Sequence, residues 1–277
     1  MNRIFKVIWS RTRNCYIVVA ETAKNCTKGG SRRSRALAAA VLSAALFLGG
    51  ALQTGVADAS SYSGGTNTVA SGTDSTALGN STKATNTNTF AVGSSTEASA
   101  VNAAAFGSNT IAAGTNATAL GYQTTAKGYN SLAFGWQAVA SEEEATAFGI
   151  RSVASGMYAT AFGADTVASG IGATAFGVST EASGENTVAF GNETAASAVD
   201  ATAFGYLTEA EGKQSTAFGY KSTASGLAST AFGYKTQATE FNATAFGNAT
   251  VASGTEATAF GLRNVADGAG YLLWYGY

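Results

Sequence analysis

From Thr76 onward, apolar and polar positions alternate in short bursts, each closing on a glycine. Ala159-Thr160-Ala161-Phe162-Gly163, followed by Thr166-Val167-Ala168-Ser169, is representative. A period of two predicts a pair of short β-strands in each burst, with glycine at the corner between them. The burst is also a repeat. Glycine recurs at Gly79, Gly93, Gly107 and onward to Gly261, fourteen residues apart each time and without insertion or deletion. Alanine stands two residues before every one of these glycines, from Ala77 to Ala259, and five residues after, from Ala84 to Ala266. The residue just before is Phe in eleven of the fourteen units, and a second glycine follows seven residues later in nine, as at Gly114, Gly156 and Gly254.

Fourteen is also two heptads, but two glycines per unit would cost a helix about 2 kcal/mol every fourteen residues, and the charged flanks of a coiled coil are missing. The pattern instead predicts an all-β solenoid in which each unit is one coil. Within a coil, alternation puts Thr160 and Phe162 on one face and the alanines on the other. Burial of a Phe is worth roughly 1.5–3 kcal/mol, so Phe148, Phe162, Phe176, Phe190, Phe204 and Phe218 are expected in the core. In the second strand, Thr166 and Ala168 are expected to point inward. Its outward positions (Lys83, Glu97, Thr125, Glu181, Glu209, Gln237, Val251) vary freely and are expected in solvent. The remaining face is then a smooth alanine stripe. An apolar stripe of that length marks an association surface, so Ala147, Ala161, Ala175, Ala189, Ala203 and Ala217 are expected to form the interface of a closed homo-oligomer. On this reading Ala175→Glu weakens the oligomer and Glu181→Ala does not.

Composition narrows the function. The 277 residues include no histidine, no proline and two cysteines, which removes the usual ligands and bases of zinc, haem and histidine-dependent catalysis. No enzymatic activity, cofactor or metal site is expected. Nine of the sixteen Lys and Arg, but two of the seventeen Asp and Glu, precede residue 60, so the remainder carries 7 − 15 = −8. Such a chain repels phosphate backbones, and nucleic-acid binding is not expected.

At the N-terminus, Arg32, Arg33 and Arg35 precede the charge-free stretch Ala36 to Leu52, and Ala57-Asp58-Ala59 offers the small residues of a signal-peptidase site. Cleavage is expected after Ala59. Some 30 residues lie ahead of the basic cluster, and Met1, Asn2, Ile4, Lys6, Val7, Ile8, Trp9, Glu21, Ala23 and Lys24 match the extended signal peptide of type V secretion. Cys15 and Cys26 both fall in this segment, so the exported part has no cysteine.

The unit A-T-A-F-G-x-x-T-x-A-S-G resembles the head repeat of the trimeric autotransporter adhesins, the YadA-like family, with Asn116, Asn130, Asn186 and Asn242 in the leading position of that family's repeat and Phe in place of its Ile. The resemblance implies a left-handed parallel β-roll, a homotrimer, and display on the surface or outer membrane of a diderm bacterium. It also implies adhesion to host extracellular matrix proteins, cell-surface receptors or other bacterial cells. Three segments are expected: 1–59, removed on export; 60–268, the head; and 269–277, which fits no repeat because Leu273 and Tyr275 stand where alanine and glycine are required. No stalk or membrane barrel is recognisable, which suggests a truncated gene and leaves the anchoring of the chain open.

Two further features bear on chemistry. Glu142, Glu143 and Glu144 are the dense acidic cluster and read as a solvated turn rather than a catalytic or calcium site. Tyr206, Tyr220 and Tyr234 fall at one corner of successive coils with Lys221 and Lys235 alongside, and Tyr122 and Trp136 form a shorter ladder. The ladders read first as mutual stacking that stiffens the corner; as an interaction surface, these seven residues are the candidate ligand contacts. For the whole chain, a passive surface or biofilm scaffold is the alternative to an adhesin. An ice-binding solenoid, suggested by the threonine columns, is more remote.

Overall fold

A computed structural model describes residues 5–10, 15–20, 61–270 and 272–275. The chain divides into two units, Met1–Gly50 and Ala51–Tyr277. In the first, Phe5–Ser10 pairs antiparallel with Cys15–Ala20, Phe5 opposite Ala20 and Ser10 opposite Cys15. The charge-free stretch 36–52, Cys26 and the expected cleavage site at Ala59 lie outside the described residues.

In the second unit each fourteen-residue repeat forms one coil of a parallel β-roll. A coil has a longer strand, such as Thr160–Ala164, and a two-residue strand, such as Val167–Ala168. The longer strands stack into a sixteen-stranded sheet from Tyr62–Thr66 to Leu272–Tyr275, and the short ones into a fifteen-stranded sheet from Val69–Ala70 to Val265–Ala266. Register follows the repeat: Ala161 lies opposite Ala175, Phe162 opposite Phe176 and Gly163 opposite Gly177. Backbone hydrogen bonds run both ways along the stack. Val167 N–H donates to Thr180 O at 2.8 Å and Ser169 N–H to Ala182 O at 2.9 Å, while at the corner Asp165 N–H donates back to Ile150 O at 2.9 Å. No coil satisfies its own backbone, so stability is a property of the stack.

The turns explain the glycines. Each coil has left-handed residues at both corners, for example Tyr158 (φ 60°) and Asp165 (φ 55°), and a glycine such as Gly163 at φ 135°. A Cβ on Gly163 would lie 1.8 Å from the carbonyl oxygen of Gly177 in the next coil. Both the backbone angle and the approach of the neighbouring coil therefore demand glycine. The second glycine is less strict. A Cβ on Gly170 would meet Gly184 O at 1.9 Å, but its backbone is not left-handed, and Ala100, Glu142 and Ala198 occupy the equivalent place in other coils.

Strand alternation is as expected, but the two faces of the longer strand are exchanged. Ala147, Ala161, Ala175, Ala189, Ala203 and Ala217 are 0% exposed within a single chain and form the core, so they make no interface with another chain. Phe148, Phe162, Phe176, Phe190, Phe204 and Phe218 lie on the outer face of the sheet, exposed rather than in the core. The reason is volume. The interior between the two sheets is lined by Ala159, Ala161, Thr166 and Ala168 and their equivalents, and its bulkiest fully buried side chains are threonines. A space filled by alanine and threonine has no room for a phenyl ring. The second strand is as expected, with Thr166 and Ala168 inside and Lys83, Glu181, Glu209 and Gln237 exposed.

The segment after Gly268 does not leave the roll at once. Leu272–Tyr275 pairs in parallel with the preceding longer strand, placing Leu272 opposite Thr258, Leu273 opposite Ala259, Trp274 opposite Phe260 and Tyr275 opposite Gly261. The backbone of one further strand thus keeps the register that its side-chain sequence does not.

Candidate interaction surfaces

Because the core takes only small side chains, every large apolar residue of the roll is turned outward, and the repeat sorts these into columns along the rod. The longest column runs from Phe134 to Phe260: ten phenylalanines, each between 36% and 39% exposed. Successive rings stack with centroids 4.6–4.9 Å apart and planes within 7°. That spacing is the strand separation of a sheet, so stacking follows directly from a repeat without insertions. Ring faces cover one another and the outer edges remain in solvent. Half-buried threonines, including Thr146, Thr160 and Thr174, share this face. The threonine column considered for ice binding therefore adjoins exposed aromatic edges.

At the adjoining corner, Tyr206, Tyr220 and Tyr234 are exposed, with centroids 5.3 and 5.0 Å apart. Lys221 Nζ lies 5.4 Å from the centre of the Tyr220 ring and Lys235 Nζ 5.2 Å from that of Tyr234, at cation–π distance. Tyr122 and Trp136 occupy the same column in register with each other. Ile150, Ala164, Val178 and Asn192 separate them from Tyr206, so the seven candidate contacts form two patches on one edge.

Between these patches lies a feature the sequence reading missed. Arg151 sits 5.5 Å from the Trp136 ring centre and makes a two-pronged ion pair with Asp165 in the next coil. The hydrogen bond from Arg151 holds the Asp165 carboxyl below the usual carboxylate range, and the same bond raises the Arg151 guanidinium further. The signal was available: opposite charges fourteen residues apart fall on facing coils. A carboxylate lowered in the folded state stabilises above its unfolded value, near 4, and that stability is lost as pH falls through the folded value. Asp165→Asn is therefore expected to lower the melting temperature slightly at pH 7 and not at pH 2, in paired thermal melts.

At the opposite corner, left-handed asparagines form a side-chain ladder. Asn88 donates to Asn102 at 3.0 Å, Asn102 to Asn116 at 2.9 Å and Asn116 to Asn130 at 2.8 Å. Asparagine tolerates the left-handed turn and its amide bonds the coil above. Glu142, Glu143 and Glu144 continue this corner as a turn, and among the described residues no group of three or more acidic or sulfur ligands is placed to hold a metal ion.

Comparison with known proteins agrees with this geometry. The family model described as the YadA head domain repeat (2 copies) matches in thirteen windows, from residues 65–82 to 238–264. The model described as the Extended Signal Peptide of Type V secretion system matches residues 1–50. No curated protein matches the chain.

Proposed function

Since the chain belongs to the trimeric autotransporter adhesins with YadA-type heads, we propose that it is an adhesin head, exported to the surface of a diderm bacterium, that trimerises through its phenylalanine face and binds targets through its remaining surfaces. The observation that supports this is the unbroken row of ten exposed, stacked rings. At about 75 Å² of exposed ring each, the row presents on the order of 700 Å² of apolar surface, above the largest patch of a typical monomer. Every copy carries the same stripe parallel to the rod, so copies related by rotation about an axis along the rod bury all stripes together. Each chain then meets two neighbours, which share the stripe and its flanking threonines between them.

Burying that face leaves the short-strand sheet and at least the tyrosine-bearing edge available for attachment. Repetition along the rod and threefold copying make any contact multivalent, so weak single contacts give useful avidity. Targets are matrix proteins, cell-surface receptors or other bacterial cells. Attachment of the purified exported protein to immobilised matrix proteins, host cells and bacteria tests this reading. Saturable binding to at least one is expected, and an intact trimer that binds none would favour the passive scaffold.

A further inference from the structure

Charges on the roll are sorted by face. From Thr202 to Arg263 the longer strands and the corner that follows them contain no carboxylate, while Lys221, Lys235 and Arg263 stand in one corner column. All three are exposed. Of the other cations on the roll, Arg151 is paired with Asp165 and Lys83 with Glu97 at 4.0 Å in the next coil, while Lys127 and Lys213 make no ion pair among the described residues and stand singly, away from this column. Lys221 and Lys235 have no such partner among the described residues; each lies over a tyrosine ring instead. On a chain that carries −8 after residue 59, this is a line of positive charge left open.

We propose that the strip from Tyr206 to Arg263 binds a linear sulfated polysaccharide lying along the rod. Coils rise by about 4.8 Å, so Lys235 stands one coil beyond Lys221 and Arg263 two coils beyond Lys235, a line of cations in step with a chain of sugars whose sulfates recur unit by unit. The ammonium groups are held in place before any ligand arrives, because the tyrosines beneath them are stacked on each other, and pre-organisation reduces the entropy lost on binding. The three phenolic hydroxyls add donors to sulfate or sugar oxygens at the same spacing.

Geometry also selects against other ligands. A neutral glycan recognised by stacking needs open ring faces, and the faces of Tyr206, Tyr220 and Tyr234 are turned toward one another with interplanar angles of 15° and 6°. A nucleic-acid duplex is far wider than one column and would meet Glu209 on the adjoining sheet and Glu211 just after that strand, where like charges repel. A thin, flexible polyanion touches the strip alone.

This inference rests on the adhesin reading only for the biological role of the site. The test measures binding of the full exported protein to heparin oligosaccharides, to unsulfated hyaluronan of matched length and to duplex DNA, beside attachment to cells. Lys221→Gln with Lys235→Gln is expected to weaken heparin binding at least tenfold. Lys127→Gln with Lys213→Gln, an equal charge change at exposed sites on other parts of the roll, is expected to leave it within twofold. Equal losses in the two pairs, absence of heparin binding by the unaltered protein, or tighter binding of hyaluronan or DNA would each overturn the assignment. Heparin binding without attachment to any cell would support the strip and contradict the adhesin reading. Attachment that survives loss of the two lysines would overturn the strip as the adhesive site and leave that reading standing. All four lysines are exposed, and unchanged melting temperatures confirm that each variant is folded.

Discussion

Gly177→Ala is expected to break the roll at its coil, seen as a large fall in melting temperature and loss of β-signal by circular dichroism. Gly177 has φ 135°, a region essentially closed to residues with a side chain, and a Cβ there would lie 1.7 Å from Gly191 O. The oxygen belongs to the backbone of a coil held by its own hydrogen bonds, so it has no soft direction in which to yield. Backbone strain alone is worth about 1–3 kcal/mol, and separating the coils adds the loss of their ladder. Gly170→Ala serves as the comparison. Its Cβ also meets a carbonyl, at 1.9 Å, but the backbone is not left-handed and alanine already occupies the equivalent position at Ala100 and Ala198. It is expected to lower the melting temperature by far less. Equal effects would mean that crowding between coils, and not the positive φ, sets the glycine requirement.

A second large effect separates the two faces of the longer strand. Ala175 is fully buried between the sheets, so Ala175→Glu places a carboxylate where neither water nor a partner cation is available. Such burial is expected to cost roughly 3–5 kcal/mol and to unfold that part of the roll. Phe176→Glu, one residue along, is expected to leave the fold of a single chain intact, because the ring it removes already faces outward. Its effect should appear in association. Had alanine formed the interface, as the sequence suggested, the outcomes would be reversed. Limited proteolysis with circular dichroism distinguishes the two cases.

The exchange of faces shows what the repeat conveyed and what it did not. Period two and the fourteen-residue spacing were enough to place both strands, their parallel register and the corner glycines, because these follow from backbone geometry alone. Which side of Thr160-Ala161-Phe162 faces in depends on the distance between the two sheets. Hydrophobicity argued for Phe162 inside. The stronger clue was that Ala161 and its equivalents are alanine without exception from Ala77 to Ala259: an outward face tolerates variation, whereas an interior one side chain deep admits only small ones. The stacked ladders were legible because column membership is fixed by spacing, as Tyr206, Tyr220 and Tyr234 show. The Arg151–Asp165 pair was missed because the two residues are read as unrelated unless sequence separation is converted into neighbouring coils. Strand pairing by Leu272–Tyr275 was missed for another reason: pairing uses backbone groups, which do not depend on Leu273 and Tyr275 matching the repeat.

Burial of the phenylalanine ladder between copies is the step on which the adhesin geometry depends. Sedimentation equilibrium of the exported protein at micromolar concentration, run beside the variant with Phe162, Phe176 and Phe190 all replaced by Asp, measures it most directly. Three times the single-chain mass is expected for the unaltered protein, with a shift toward single folded chains for the variant. A folded single chain for the unaltered protein, or a variant that remains trimeric, would contradict an interface on this face.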